Sequence, residues 1–363
     1  MNLKNKKILV FTGGGLSPSL NPTLYGVINE AKKRKAKICG GFFGWHCLTN
    51  EGEVINLNNF KEEKIKDSGG TFLRSSRTNP YKFKDGFLEL KKNIKEKSID
   101  CIVAIGGNDT LGAAYKIFKE REIPIVGVPK TIDNDLSVTY FTPGFISAAH
   151  KLINFTREIK NDAAQALSRI FIVESLGEKA GWLAAAGYLG GADLVIPPEK
   201  YIDVDRVVKL VKLKYKKNNN FAVIVMAKEA QLGNKIKGLI DDQKDDYGVA
   251  RHELTCWGLK KEIKKRLGFD TKILMPGNWL QSGQAVPLEK KLSIALGRRA
   301  VKLLAEDKVG WSSIIKKRGY KLTVGEAPLK EIHKKRLLDE KMFDFKKLVP
   351  TKVYLNYLKP ILK

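Results

Sequence analysis

The sequence predicts an α/β protein built as two doubly wound α/β lobes with mainly parallel sheets. Three observations lead there. Short, near-continuous runs of Val, Ile and Leu recur along the chain, as in strands buried on both faces of a sheet. Each leading run ends in glycine or proline and is followed by a helical stretch, the alternation from which parallel sheets are made. The chain has 363 residues, 43% of them hydrophobic, enough for two sizeable cores.

The first strand is expected at residues 7–12 (KILVFT), running into Gly13, Gly14 and Gly15 and, through a loop that includes Leu16 to Asn21, into a helix. Residues 100–105 (DCIVAI) run into Gly106 and Gly107 and a second helix, and residues 123–128 (IPIVGV) run into Pro129. A lobe boundary is expected after Tyr140, where Thr142, Pro143 and Gly144 lead into a long helix reaching about Ile159. Further strands are expected at 170–174 (IFIVE) and 221–227 (FAVIVMA). The division this suggests is one lobe of 1–140 plus about 280–330, a second of 141–279, and a basic C-terminal segment, 331–363, packing on the lobes. In doubly wound sheets ligands gather at the carboxyl ends of strands, where the glycine and carboxylate clusters of this sequence fall.

Lys and Arg number 66 against 39 Asp and Glu, a net charge of +27. Such a surplus attracts anions of any kind. Most of it lies in amphipathic runs such as 31–37 and 260–266, which read as solvated helix faces. No nucleic-acid module or aromatic-basic platform is present, so nucleic acid is not an expected partner. No stretch approaches the length of apolar residues that a membrane helix needs, and no membrane partner is expected. Cys39, Cys47, Cys101 and Cys256 form no CxxC pair and no metal-ligand spacing, the usage of a reducing compartment. With no signal-like segment at the start, the protein is expected in the cytoplasm. The histidines, His46, His150, His252 and His333, show no paired spacing and read as structural or surface residues.

Three clusters carry candidate chemistry. Gly13, Gly14 and Gly15 form a strand-to-helix loop suited to a phosphate, because glycine permits close backbone approach and the following helix offers free N–H groups. A turn that merely lets the helix pack on its strand is the competing reading. The spacing matches neither GxGxxG nor the P-loop. Gly106, Gly107, Asn108, Asp109 and Thr110 offer oxygens for a hydrated Mg²⁺ or a polyphosphate held through its metal, or else a helix cap. The most specific is Pro129, Lys130, Thr131, Ile132, Asp133, Asn134, Asp135. Two carboxylates beside a lysine and a hydroxyl suit a phosphoryl transfer, which needs a base on the nucleophile and cations for the moving charge. An Asp/Asn-rich structural turn is the alternative.

GGNDT followed about twenty residues later by PKTIDND, with GGTFLRSSR upstream and VESLGEKAGWLA downstream, resembles the phosphofructokinase family of the PfkA type, from Lys7 to about Leu304. The resemblance implies a phosphofructokinase-like fold in which the first lobe binds the phosphoryl donor and the second the sugar. It implies that Gly14 and Gly15 belong to the donor phosphate loop with Gly107, Asn108, Asp109, Thr110 and Lys130. It further implies that Asp133 is the general base, with Asp135 supporting it, Thr131 touching the transferring group and Arg77 bridging donor and transferred phosphate. Mg²⁺ is the implied cofactor, held by Asp109 and Asn108. Members that use ATP usually carry glycine at the positions of Asp109 and Lys130, whereas pyrophosphate users carry aspartate and lysine. Both markers here therefore indicate pyrophosphate.

The acceptor side departs from the family. Its MGR segment is Leu176, Gly177 and Glu178 here, so a cation has become an anion. Of the expected 6-phosphate clamp, Arg169 matches one arginine, Lys272 replaces another, and Asn278 and Gln281 or Ser282 stand where a histidine and an arginine are expected. Each lost charge-assisted bond is worth about 1.5–3 kcal/mol, unless Arg74, Lys179 or Lys228 compensates. Glu229 matches the family's sugar-hydroxyl acceptor. Asn108 replaces an aspartate, which weakens the charge available to a metal. Fructose 6-phosphate is the default acceptor, with another sugar, polyol or sugar phosphate as the alternative, and a catalytically silent homologue as a more remote one. Because the family builds acceptor sites across subunit contacts, a homodimer or homotetramer is implied, with Arg169 and Lys272 able to serve a neighbour's site.

Overall fold

The computed structural model describes residues 1–120, 123–165, 168–233, 255–319 and 321–362; His252 lies outside them. Along the chain run β1 (Lys7–Thr12), α1 (Leu20–Lys33), β2 (Lys37–Gly41), β3 (Val54–Asn56), α2 (Gly86–Glu96), β4 (Cys101–Gly106), α3 (Asn108–Lys119), β5 (Ile125–Pro129) and α4 (Phe145–Gln165). They are followed by β6 (Ile170–Ser175), α5 (Trp182–Ala186), β7 (Leu194–Ile196), α6 (Val204–Lys217), β8 (Ala222–Ala227), α7 (Thr255–Leu267) and β9 (Thr271–Leu274). The last elements are α8 (Pro287–Ala305), β10 (Trp311–Arg318), β11 (Lys321–Pro328), α9 (Leu329–Ile332), β12 (Phe343–Asp344), β13 (Val349–Pro350) and α10 (Lys352–Leu358).

Two compact units are formed. The first comprises Met1–Ile132, Leu136–Ser147 and Gln281–Lys335; the second comprises Asp133–Asp135, Ala148–Leu280 and Arg336–Lys363. In the first unit a seven-stranded sheet has the order β11-β10-β5-β4-β1-β2-β3. The five inner strands are parallel, and β11 and β3 close the edges antiparallel. The strand order reverses between β1 and β4, so their carboxyl ends bound a crevice. Strands β1, β4 and β5 are buried along almost their whole length, which is why they read as continuous apolar runs. In the second unit β7-β8-β6-β9 form a parallel sheet that changes direction between β6 and β9.

One basic run is not what the sequence suggests. The basic run 31–37 is not one helix face: α1 ends at Lys33, Lys35 takes a left-handed φ of 57°, and Lys37 already opens β2. The C-terminal segment from Arg336 belongs to the second unit. Within the second unit Tyr354 is fully buried, its hydroxyl bonds the Trp182 carbonyl, and the Trp182 and Tyr357 rings lie 5.3 Å apart. The four cysteines are free and buried. Burial pushes the Cys39 thiol up to about 11 and that of Cys101 to about 12, and raises those of Cys47 and Cys256 as well.

In the first unit Glu289, on the first turn of α8 and fully buried, caps the start of α4. Its carboxylate accepts the N–H groups of Gly144 at 2.7 Å, Ile146 at 3.1 Å and Ser147 at 3.3 Å, and the Ser147 hydroxyl as well. In return Ser147 Oγ accepts the Val286 N–H at 3.0 Å, at the start of α8. Each helix start thus satisfies the other's orphan donors. Burial lifts the Glu289 carboxyl from 4.5 to about 7, against the pull of those hydrogen bonds. A raised carboxyl favours the protonated form in the fold. The stability this supplies is complete below pH 4.5 and lost as pH rises through 7, the sign that linkage requires. Glu289→Gln, which cannot titrate, should gain in melting temperature on the parent between about pH 5.5 and about pH 8.5; parallel melting curves across that range would contradict it.

Candidate active site

The donor-side residues predicted from sequence gather in the first unit, at the ends of β1, β4 and β5. Main-chain bonds run on past the strands: Gly13 N donates to Ile105 O at 2.8 Å and Lys130 N to Gly106 O at 2.9 Å. Gly14 holds a φ of 83°, a left-handed conformation that a Cβ would strain. Two serines that sequence reasoning did not single out pin this turn. Gly14 N donates to Ser76 O at 2.8 Å, and Ser75 Oγ donates to Gly14 O at 2.6 Å. Both lie inside GGTFLRSSR, and they carry the adjoining exposed Arg77 to the same loop.

Lys130, only 3% exposed, donates its ammonium to the Gly15 carbonyl, and a Cβ on Gly14 would stand 3.3 Å from that Nζ. The charged group therefore lies against the Gly14–Gly15 turn. Gly107 is the N-cap of α3, and the next two residues begin that helix without a side-chain cap, so the capping reading of Asn108 and Asp109 is not what the structure shows. Asp109 is exposed and pairs with Lys82 at 3.1 Å. Thr110 is buried and fills the space beside Gly13, where an added Cβ would come within 2.4 Å of its Oγ1. Gly13 thus serves packing, while Gly14 serves the turn. Thr131 is tied to the start of α4 by Thr131 N–H to Pro143 O at 3.1 Å and by Thr142 Oγ1 to Thr131 O at 2.8 Å.

Of the residues expected on the acceptor side, Leu176, Gly177 and Glu178 follow β6 in the second unit. Glu229 follows β8, whose end is joined to β6 by Lys228 N to Ser175 O at 2.8 Å. Gly177 has a φ of 121° and Glu178 is exposed. Asn278 lies on an exposed turn after β9, and its neighbour Trp279 is 49% exposed. Arg169 and Lys272 are not with these residues. Arg169 precedes β6 and pairs with Asp270 at 3.4 Å, and Lys272 is the second residue of β9, paired across the sheet with Phe171. The length of β6, about 20 Å at about 3.3 Å per residue, separates them from Leu176. Gln281, expected with the acceptor residues, instead falls in the first unit, where its Oε1 would lie 3.7 Å from a Cβ on Gly15. The short helix 277–281 ends there and feeds α8. Asp133 and Asp135 are part-exposed in the second unit and flank a fully buried Asn134 whose φ is 56°.

The sequence profile of the phosphofructokinase family matches residues 7–304. The chain belongs to the phosphofructokinase family. Within it, the pyrophosphate–fructose 6-phosphate 1-phosphotransferase of Dictyoglomus thermophilum is 34% identical over 310 residues, 85% of this chain and 89% of the relative. The ATP-dependent 6-phosphofructokinase of Halothermothrix orenii is 31% identical over 300 residues, 82% and 86% of the two chains. Among solved structures, the pyrophosphate-dependent phosphofructokinase of Marinobacter aquaeolei superposes with a TM-score of 0.85 at 23% identity, covering 98% of this chain and 91% of its own. The phosphofructokinase fold is thus shared along nearly the whole chain. Relatives bearing either donor's name lie at similar distance, so the residues at the donor loop must speak for the donor.

Among the described residues no group of three or more His, Cys, Asp and Glu side chains is placed to hold a metal ion, and no helix is long and apolar enough to cross a membrane. An enclosed metal site does not fit this donor set. A hydrated Mg²⁺ does, since it keeps most of its waters and is held by one carboxylate and by substrate phosphates; Asp109 is exposed at a helix start where such an ion can reach it. The packing role of Gly13 is open to test. Gly13→Ala should lower stability by about 1–3 kcal/mol through overpacking against Thr110, and Thr110→Ala in the same chain should recover most of the loss in urea titrations. Equal losses in the single and double variants would refute the contact.

Proposed function

We propose that this phosphofructokinase-family protein is an enzyme that transfers a phosphoryl group from pyrophosphate, with Mg²⁺, to the 1-hydroxyl of fructose 6-phosphate, giving fructose 1,6-bisphosphate and phosphate. One observation carries the choice of donor. The buried ammonium of Lys130, lying against the Gly14–Gly15 turn, crowds the room that a nucleoside would need and matches a terminal phosphate oxygen instead. Asp109 supports the same reading, as do the pyrophosphate-dependent relatives.

In this reading the Asp133 carboxylate takes the proton of the acceptor hydroxyl as its oxygen bonds to phosphorus, and the bridging P–O bond breaks to release phosphate. Arg77, Lys130 and the Thr131 hydroxyl take up charge on the transferring group and its leaving phosphate. Asp135 supports Asp133. Asp109 and Asn108 would hold Mg²⁺, which would supply positive charge against the two phosphates. Glu229 accepts from a sugar hydroxyl. The separation of Arg169 and Lys272 from Leu176 by the length of a strand supports a homodimer or homotetramer in which these cations serve a second copy. Four buried, free thiols suit a cytoplasmic protein.

A second acceptor reading is favoured by Glu178, an exposed acid where the family has a cation. It is phosphorylation of another sugar, polyol or sugar phosphate by the same donor site. An acceptor panel assayed with pyrophosphate and Mg²⁺ separates the two. Turnover of fructose 6-phosphate above all others supports the first reading, and Glu178→Arg should then improve its KM.

Lys130→Met should raise KM for pyrophosphate by about 10- to 100-fold, the value of one charge-assisted bond. ATP supporting transfer in the parent, with pyrophosphate inactive, would overturn the donor assignment. Asp133→Ala should abolish turnover without unfolding the protein; activity within about tenfold of the parent would misassign the base.

A further inference from the structure

Asn134 sits between the two aspartates in a conformation that residues with a Cβ seldom adopt, with φ at 56°, and its side chain is fully buried. Asparagine enters this backbone more readily than most residues with a Cβ, and here its surroundings fix it there. In the second unit those surroundings come from the C-terminal segment. Asn134 Nδ2 donates to Tyr357 Oη at 2.8 Å. The Asn134 carbonyl accepts from Arg336 Nη2 at 2.9 Å and from Arg336 Nε at 3.3 Å. The Arg336 main-chain N–H donates to the Asp135 carbonyl at 2.6 Å. Both polar ends of the Asn134 residue and the peptide after it are thus held by two side chains and one amide of residues 336–357.

The holders are themselves fixed. The Arg336 guanidinium lies 4.6 Å from the Trp182 ring centroid and 5.8 Å from that of Tyr357. Arg336 Nη2 reaches Tyr357 Oη at 3.2 Å, and Trp182 Nε1 donates to Arg336 O at 3.0 Å. A planar guanidinium packed against two adjoining rings keeps little freedom to lose when it grips a carbonyl with two N–H groups. Two residues further on, Leu338 N–H and Gly181 N–H share the Glu199 carboxylate at 3.0 Å and 2.7 Å, which locks this segment to the turn before α5. Arg336 and Tyr357 both lie outside the family-matched stretch 7–304.

We propose that Arg336 and Tyr357 are positioning residues, which hold the left-handed Asn134 peptide and thereby set the direction of the Asp133 and Asp135 carboxylates for proton removal. The inference rests on the reading of Asp133 as the base. Without the clamp the peptide samples other backbone conformations and the carboxylates lose their working direction, while substrates still bind through other groups. The cost therefore appears in kcat and not in KM.

Tyr357→Phe removes one hydroxyl and keeps the ring. It should lower kcat by about tenfold, leave KM for pyrophosphate and acceptor within about twofold, and keep the melting temperature within a few degrees. Amide hydrogen exchange across residues 133–137 should quicken while exchange in α5 and α10 is unchanged. Asn134→Gly keeps the left-handed backbone without the amide, and combining it with Tyr357→Phe should cost no more than the larger single loss. Arg336→Lys, which keeps the charge and loses the fork, should lower kcat in the same way; if it fails to fold, Tyr357→Phe decides. An unchanged kcat, or a fall in kcat accompanied by a lower melting temperature and faster exchange throughout the unit, would overturn the proposal. If the parent transfers phosphate from no donor to any acceptor, the reading of function has failed, and the local exchange measurement alone then judges the clamp.

Discussion

The fold of this protein and the loops that leave β1, β4 and β5 depend on main-chain hydrogen bonds that do not stop where the strands stop. The ladder joining β1 to β4 continues through Gly13 to Ile105, and that joining β4 to β5 continues through Lys130 to Gly106. Three loops are therefore held in register by the sheet that carries them. The glycines, the buried lysine and the helix start after β4 occupy fixed places for that reason. Placing polar groups on extended backbone of this kind costs no further ordering entropy when a ligand arrives.

The same economy governs the buried ionisable groups. Lys130 is tolerated because its ammonium has a carbonyl partner, and Glu289 because three amides and a hydroxyl converge on it. A buried ionisable group without such partners costs several kcal/mol. Glu289 in turn orders the stretch 144–147 that follows Pro143 and Thr142, the two residues holding Thr131. Charge burial and loop order are coupled in the first unit through these few bonds.

Much of this was legible in the sequence, for physical reasons. Parallel strands buried on both faces must be apolar throughout, so β1, β4, β5, β6 and β8 stood out, and their loops stood out because close approach demands glycine. PKTIDND carried its meaning in residue types alone. Other features depended on partners far away in sequence. Nothing local to Lys33 marks it as the end of α1 inside a basic run. Gln281 lies by Gly15 because of where α8 begins, and Arg169 and Lys272 lie at the wrong ends of their strands to join Leu176, a distance that motif order does not encode. Tyr357 and Asn134 are separated by 223 positions, and neither residue type marks the other as its partner.

The buried thiols have a practical consequence. Cys39, Cys47, Cys101 and Cys256 are all inaccessible and held in the unreactive protonated form at neutral pH, since it is the thiolate that attacks electrophiles. The chain is in effect a blank background for sulfur chemistry. A single cysteine introduced at an exposed position such as Trp279 or Glu178 would be the one site to take a maleimide dye or spin label, so that movement of the loops after β6 and β9 can be followed without first stripping out native cysteines.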